Sequence, residues 1–136
     1  MTLNTLVNIL RSYNLNTQIH YASSSSVDQF RHALKQIFLR SQVGSHYILV
    51  NYGRKALGQK GGGHISPLGA YDPIHDAVLI MDVSRYKYAP IWVSVSRLYD
   101  AMNTQMHNTR GSPGLSVKIE IGFYVGTADY VNASLP

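Results

Sequence analysis

The sequence predicts an α+β chain, with two leading helices packed on a mainly antiparallel β-sheet. Three observations carry this. Near the start, apolar residues recur at helical spacing in two separate stretches. From His46 onward, short runs rich in Ile, Val and Tyr are divided by Gly, Pro, Asn and Asp. The length of 136 residues and a hydrophobic content of 45% are enough for one domain with its own core.

Leu3, Leu6, Val7, Ile9 and Leu10 form the first stripe, and Thr2 is placed to cap it. A helix is therefore expected over 3–13, broken by Asn14 and Asn16, with a short strand following over 17–22. Ser26 and Gln29 have the spacing of a capping box ahead of Val27, Phe30, Ala33, Leu34, Ile37 and Phe38, which predicts a second helix to about residue 40. Gly44-Ser45 marks a turn, and 46–52 is long enough for one buried strand. A basic, glycine-rich loop over 53–63 leads into a hairpin with strands at 65–71 and 77–83, its turn centred near Pro73. Pro90, Trp92 and Val93 make an extended, half-buried segment. Ser94 or Ser96 then caps a short helix to about residue 102. A polar loop follows over 103–113, and the alternation across 115–125 predicts a last strand.

Composition narrows the function classes. The formal charge of +5 is dispersed apart from Arg54, Lys55 and Lys60 and Arg85 with Lys87, so no polybasic stripe marks a nucleic-acid or membrane partner. A small anionic ligand fits this pattern better. There is no apolar run of membrane-spanning length, and the first sixteen residues lack the basic start and cleavage site of a secretory leader. A cytoplasmic location is expected, with any leader lying upstream of Met1. The chain has no cysteine, which removes disulfides, thiolate metal sites and a thiol nucleophile together. The remaining histidines, His20, His32, His46, His75 and His107, show no zinc-site spacing, so no protein-held metal is expected.

His64 and Asp82 stand out chemically. With the turn at Pro73 they lie equally far along the two hairpin strands, which predicts cross-strand neighbours about 5 Å apart at Cβ. An imidazole beside a carboxylate is the base and orienter of a nucleophilic triad; it is also an ordinary structural hydrogen bond. Ser66 shares the His64 face, but no helix N-terminus stands behind it to make it a nucleophile. Arg54 and Lys55 at the mouth of the loop suit carboxylate binding, Arg through its two-pronged fork, and equally suit a solvated basic pair. The loop lacks the Gly-Lys-Ser/Thr ending of a phosphate loop. Its glycines serve either close approach of the backbone or a flexible connector.

The motifs N-Y-x-R-K, L-G-Q, G-G-G-H-I-S-P-L-x-A-Y and M-D-V-S-R-Y-K-Y, followed by Pro90 and Trp92-Val93, resemble the second half of the catalytic domain of phytochelatin synthases. The resemblance covers roughly residues 1–111, with 112–136 a divergent strand and tail of the same domain, because Ser112-Pro113-Gly114 interrupts the family pattern. It implies a papain-like half-domain and a Cys-His-Asp triad that moves a γ-glutamylcysteinyl group from one glutathione to another. In that reading His64 is the base and Asp82 its orienter. Arg54, Lys55 and Arg110 bind substrate carboxylates, and Arg85, Tyr86 and Lys87 serve either the fold or the substrate.

The resemblance also implies partners. A heavy-metal ion of the cadmium or zinc class arrives as a glutathione thiolate complex, with no cofactor held by this chain. A Cys-bearing N-terminal half supplies the nucleophile, and Met1 is an internal methionine of a longer frame. Self-association is expected of a half-domain. Two rival readings stay open: a pseudoenzyme that binds glutathione or metal thiolates without turnover, and a basic β domain that stacks single-stranded nucleic acid on exposed tyrosines.

Overall fold

A computed structural model describes residues 3–39 and 46–103, and the backbone of 122–127. Helix α1 (Leu3–Ser12) is followed by β1 (Asn16–Tyr21), α2 (Val27–Phe38), β2 (His46–Gly53), β3 (Gly63–Asp72), β4 (Ala77–Ile80), β5 (Ile91–Ser94), α3 (Val95–Met102) and β6 (Gly122–Thr127). The six strands form one sheet in the order β1-β6-β2-β3-β4-β5, and every pairing is antiparallel. The chain is α+β, as its periodicities predict.

Local chemistry accounts for the ends of the elements. After α1, Asn14 adopts φ 60 and the Leu15 amide turns back to the Leu10 carbonyl. This left-handed cap is one that Asn tolerates. At the start of α2 the expected capping box is complete, with Ser26 Oγ accepting from the Gln29 amide at 3.1 Å and Gln29 Oε1 accepting from the Ser26 amide at 3.0 Å. Ser94, rather than Ser96, caps α3 through the Arg97 amide. In the β3–β4 turn, Asp72 Oδ1 accepts from the amides of Ile74 and His75, an Asx-type turn.

Helices α2 and α3 contribute Phe30, Leu34, Leu98, Ala101 and Met102 to a core shared with Ile48, Val50 and Tyr52 of β2 and Val78 and Ile80 of β4. Helix α1 stands apart from that cluster. It buries Leu3 and Val7 and is tied to β1 by Arg11 Nε donating to Thr17 Oγ1 at 2.8 Å. The two leading helices thus lie on the sheet as expected, α1 at its β1 edge and α2 over the main core, and α3 joins them with the larger buried face. The expected strand over 115–125 falls mostly outside the described residues; β6 lies between β1 and β2. Among the described residues no helix is long and apolar enough to cross a membrane.

The hairpin register differs from the sequence expectation. Asp72 pairs with Ala77, Tyr71 with Val78 and Ala70 with Leu79, and a bulge then shifts the pairing to Leu68 with Ile80. The turn is therefore centred just beyond Ile74, because Asp76 enters the left-handed region with φ 49. Strand β4 ends at Ile80, earlier than expected, and Asp82 lies in the segment beyond it. At the bulge, Gly69 leaves room for Met81: a Cβ on Gly69 would come within 2.8 Å of Met81 Cγ.

Candidate active site

His64 opens β3 and is paired in register with Tyr52 of β2, while Ser66 is paired with Val50. Because strand side chains alternate, His64 and Ser66 lie on the face that carries Tyr52 and Val50 into the core. His64 sits at the margin of that face, its side chain 17% exposed. The Tyr52 ring meets the imidazole edge-on, with centroids 6.0 Å apart.

Asp82 reaches His64 by a route the sequence did not suggest. Continued past Leu68 and Ile80, the register sets Asp82 opposite Ser66, so His64 is its diagonal neighbour rather than its cross-strand partner. The Met81 amide still donates to the Pro67 carbonyl, holding this segment beside β3. Contact is made all the same: His64 Nε2 lies 2.9 Å from Asp82 Oδ1. An ionised carboxylate only accepts, so Nε2 carries the hydrogen and Nδ1 presents its lone pair.

Asp82 is buried, and three groups converge on it. Arg54 donates through Nη1 to Oδ2 at 2.7 Å and through Nη2 to Oδ1 at 3.1 Å, the Ser84 amide donates to Oδ1 at 2.8 Å, and His64 completes the set. Burial acts to raise the Asp82 pKa, but the Arg54 bond, the Ser84 amide and the His64 and Arg54 charges outweigh it and hold the carboxyl below its ordinary value. The His64 pKa is lowered, first by burial and then by the Arg54 charge, which together exceed the opposing pull of Asp82.

Arg54 corrects an expectation. The sequence places it as a cation at the loop mouth, either gripping a ligand carboxylate or solvated, yet it is only 5% exposed and its fork is turned inward onto Asp82. The reason is local. A 3-10 turn over Arg54–Leu57 follows β2 directly and ends at Gly58 with φ 73, and the glycine loop folds back so that the Arg54 amide donates to the Gly62 carbonyl. The loop is thus built around Arg54 rather than acting as a slack connector. Lys55, next in sequence, is exposed, and Arg110 lies outside the described residues.

Ser66 is fully buried with its hydroxyl beside that of Tyr52, so no substrate carbonyl reaches it as a nucleophile's target. Among the described residues no three His, Cys, Asp or Glu side chains gather to hold a metal ion.

Sequence reasoning missed Gln59, Ser84 and Tyr88 as parts of the site. Gln59 Oε1 accepts from Arg54 Nη1 at 2.9 Å, and the guanidinium lies 4.8 Å from the Tyr88 ring centroid. All three stand inside motifs already singled out, Gln59 in L-G-Q and Ser84 and Tyr88 in M-D-V-S-R-Y-K-Y. The spacing of Asp82 and Ser84 is that of an Asx turn, a signal that was available in the sequence.

A sequence model described as phytochelatin synthase matches residues 1–115. The chain belongs to the phytochelatin synthase family. Among proteins similar to it are glutathione gamma-glutamylcysteinyltransferase 3 of Lotus japonicus, 42% identical over 83 residues, covering 61% of this chain and 17% of that protein. Glutathione gamma-glutamylcysteinyltransferase of Schizosaccharomyces pombe is 36% identical over 77 residues, covering 57% of this chain and 18% of that protein. Glutathione gamma-glutamylcysteinyltransferase 2 of Arabidopsis thaliana is 39% identical over 82 residues, 60% of this chain and 18% of the relative. The chain spans under a fifth of the length of these family relatives.

Proposed function

We propose that this chain supplies the base and the orienting carboxylate for transfer of a γ-glutamylcysteinyl group from glutathione to glutathione, within a papain-like catalytic domain. The observation that carries this is the His64–Asp82 pair at 2.9 Å in a chain of this family. The nucleophile is a cysteine thiolate from another segment or chain, since this one has no cysteine.

The chemistry follows from the free Nδ1 of His64. Nδ1 takes the thiol proton, and the thiolate attacks the carbonyl carbon of the Cys-Gly amide. As the C–N bond breaks, the imidazolium returns that proton to the departing glycine amine, leaving a thioester. His64 next accepts a proton from the amine of a second glutathione, or from water, as it attacks the thioester and the thiolate leaves. Asp82 holds the ring in the Nε2–H tautomer throughout. A metal ion of the cadmium or zinc class enters as part of the substrate, in a glutathione thiolate complex. Exposed Lys55 and, outside the described residues, Arg110 are the cations proposed for substrate carboxylates.

The test is complementation. The full chain is mixed with the cysteine-bearing half of a related enzyme, glutathione and a thiophilic metal ion, and glycine release is followed. Because triad members act as a unit, His64→Ala is expected to lower release by several powers of ten. Asp82→Asn cripples it through the wrong tautomer, at a temperature where that variant is folded, and His75→Ala on the exposed turn changes little. Release within about tenfold of the parent in His64→Ala, under roughly 1.4 kcal/mol, removes His64 as the base.

The absence of cysteine favours one second reading, a pseudoenzyme that binds glutathione or its metal thiolates without chemistry. Calorimetric binding of glutathione with no glycine release in any complemented mixture selects that reading.

A further inference from the structure

We propose that Arg54 is a positioning residue of this site: from behind Asp82 it fixes the plane of the carboxylate that orients His64, and it shares that carboxylate's charge. This rests on the reading of His64 as the base.

The geometry is specific. Both guanidinium nitrogens meet both carboxylate oxygens, at 2.7 and 3.1 Å, so the two planar groups lock side by side and the carboxylate cannot turn about its own axis. Oδ1, the oxygen that faces His64, is shared with one arm of that fork and with the Ser84 amide. Arg54 is held in turn from its outer side. Gln59 takes a donor at 2.9 Å, the Tyr88 ring covers the guanidinium, and the Tyr88 hydroxyl is fixed by the Lys60 amide at 2.8 Å. A Cβ at Gly61, where φ is +123, would stand 3.1 Å from Arg54 Cδ. Residues from Gln59 to Tyr88 therefore close around one side chain.

Charge counting gives the arrangement a consequence for His64. One buried carboxylate is already balanced by one buried guanidinium, so protonating the imidazole brings a second cation to the same small site. A base that rests neutral and takes its proton only during reaction is the result. The lowered His64 pKa agrees with this, burial being its first cause, the Arg54 charge the second, and the Lys87 charge a smaller addition that both Arg54 variants keep. An arginine that merely stapled the loop to the segment after β4 would still repel the imidazolium, but trading its fork for a lysine would leave the imidazole tautomer unchanged.

Histidine ring NMR on the whole chain tests the proposal, comparing the parent with Arg54→Met and Arg54→Lys. In Arg54→Met, Asp82 keeps its charge without a balancing cation, and the His64 titration midpoint should rise by about one pH unit or more. Arg54→Lys keeps the charge and loses the fork, so the midpoint should stay near the parent's while the share of the Nε2–H tautomer falls. Folded variants with parental midpoint and parental tautomer overturn the proposal. Should Arg54→Met fail to fold by circular dichroism, the Arg54→Lys tautomer decides alone: a changed ratio supports the proposal and an unchanged one overturns it. None of these readings needs a nucleophile. Coupling without any His64-dependent glycine release defeats the transferase reading alone, and release without coupling defeats only the role of Arg54.

Discussion

At the scale of single residues, Asp82 accepts from Arg54 twice, from His64 and from the Ser84 amide while almost fully buried, so its substitution reaches every partner. Asp82→Asn leaves the buried guanidinium without a counter-charge and should cost about 3–5 kcal/mol, the range for breaking a buried pair from one side. A urea denaturation curve checks it, and a cost under about 1 kcal/mol would mean that Arg54 finds another partner. The pH dependence follows from the same pair. His64 and Asp82 both have folded pKa values below their ordinary ones, so on acidification the unfolded chain binds each proton first and stability falls with pH. For His64 the loss begins below about pH 6.5 and for Asp82 below about pH 3.9, each continuing down to the folded value. Asp72 and Asp76, also lowered, add to the second stage. Urea midpoints taken from pH 7 to pH 3 should therefore drop in two stages, and His64→Gln should flatten the upper one. A parent curve level between pH 7 and pH 5 contradicts this. The pair itself was legible in the sequence through residue type, turn chemistry and motif. Its route was not: a regular hairpin sets His64 directly opposite Asp82, and the bulge at Gly69 and the left-handed Asp76 shift that register. The role of Arg54 was hidden for a different reason, since burial of a charged side chain depends on where its counter-charge falls in space.

At the scale of elements, the signals that proved readable are those in which local chemistry and tertiary packing agree. The Ser26–Gln29 box is one, and Ser26→Ala should cost about 1 kcal/mol, seen as a melting temperature lower by about 4 °C. An unchanged melting temperature would show that packing of Phe30 and Leu34 alone sets the start of α2. Less readable was the clasp made by Arg31, which joins Asp76 on the hairpin turn at 2.8 Å, Asp28 on its own helix at 3.0 Å and Ser96 of α3 at 3.2 Å. Asp76 and Ser96 are far from Arg31 in sequence, and no periodicity announces them. Asp76 is 37% exposed, so Arg31→Ala should cost only about 1 kcal/mol or less, and less again in molar salt. Equal losses at low and high salt would point to the packing of its stem instead. Strand β4 is shorter than its composition predicts: Met81, Asp82 and Val83 continue the β-prone run while the ladder stops at Ile80.

At the scale of the whole molecule, the fold class was legible because helical and strand periods occupy separate stretches, whereas the large share of the core taken by α3 required the third dimension. Val83 and Tyr86, 63% and 86% exposed on the segment beside Asp82, and Trp92, 54% exposed on β5, leave large apolar side chains in water. The isolated chain should therefore associate as its concentration rises, and light scattering that shows a monodisperse, cooperatively melting monomer refutes this. One further consequence lies in how the site is distributed along the chain. Arg54, Gln59, His64, Asp82, Ser84 and Tyr88 belong to a single uninterrupted stretch, while the sheet's far side joins β1 to β6 from opposite ends of the chain. Loop closure for the first is short and for the second long. Hydrogen exchange should resolve the two, with the Arg54 amide on Gly62 and the Met81 amide on Pro67 opening together as one cooperative unit while the β1–β6 amides exchange at a rate of their own.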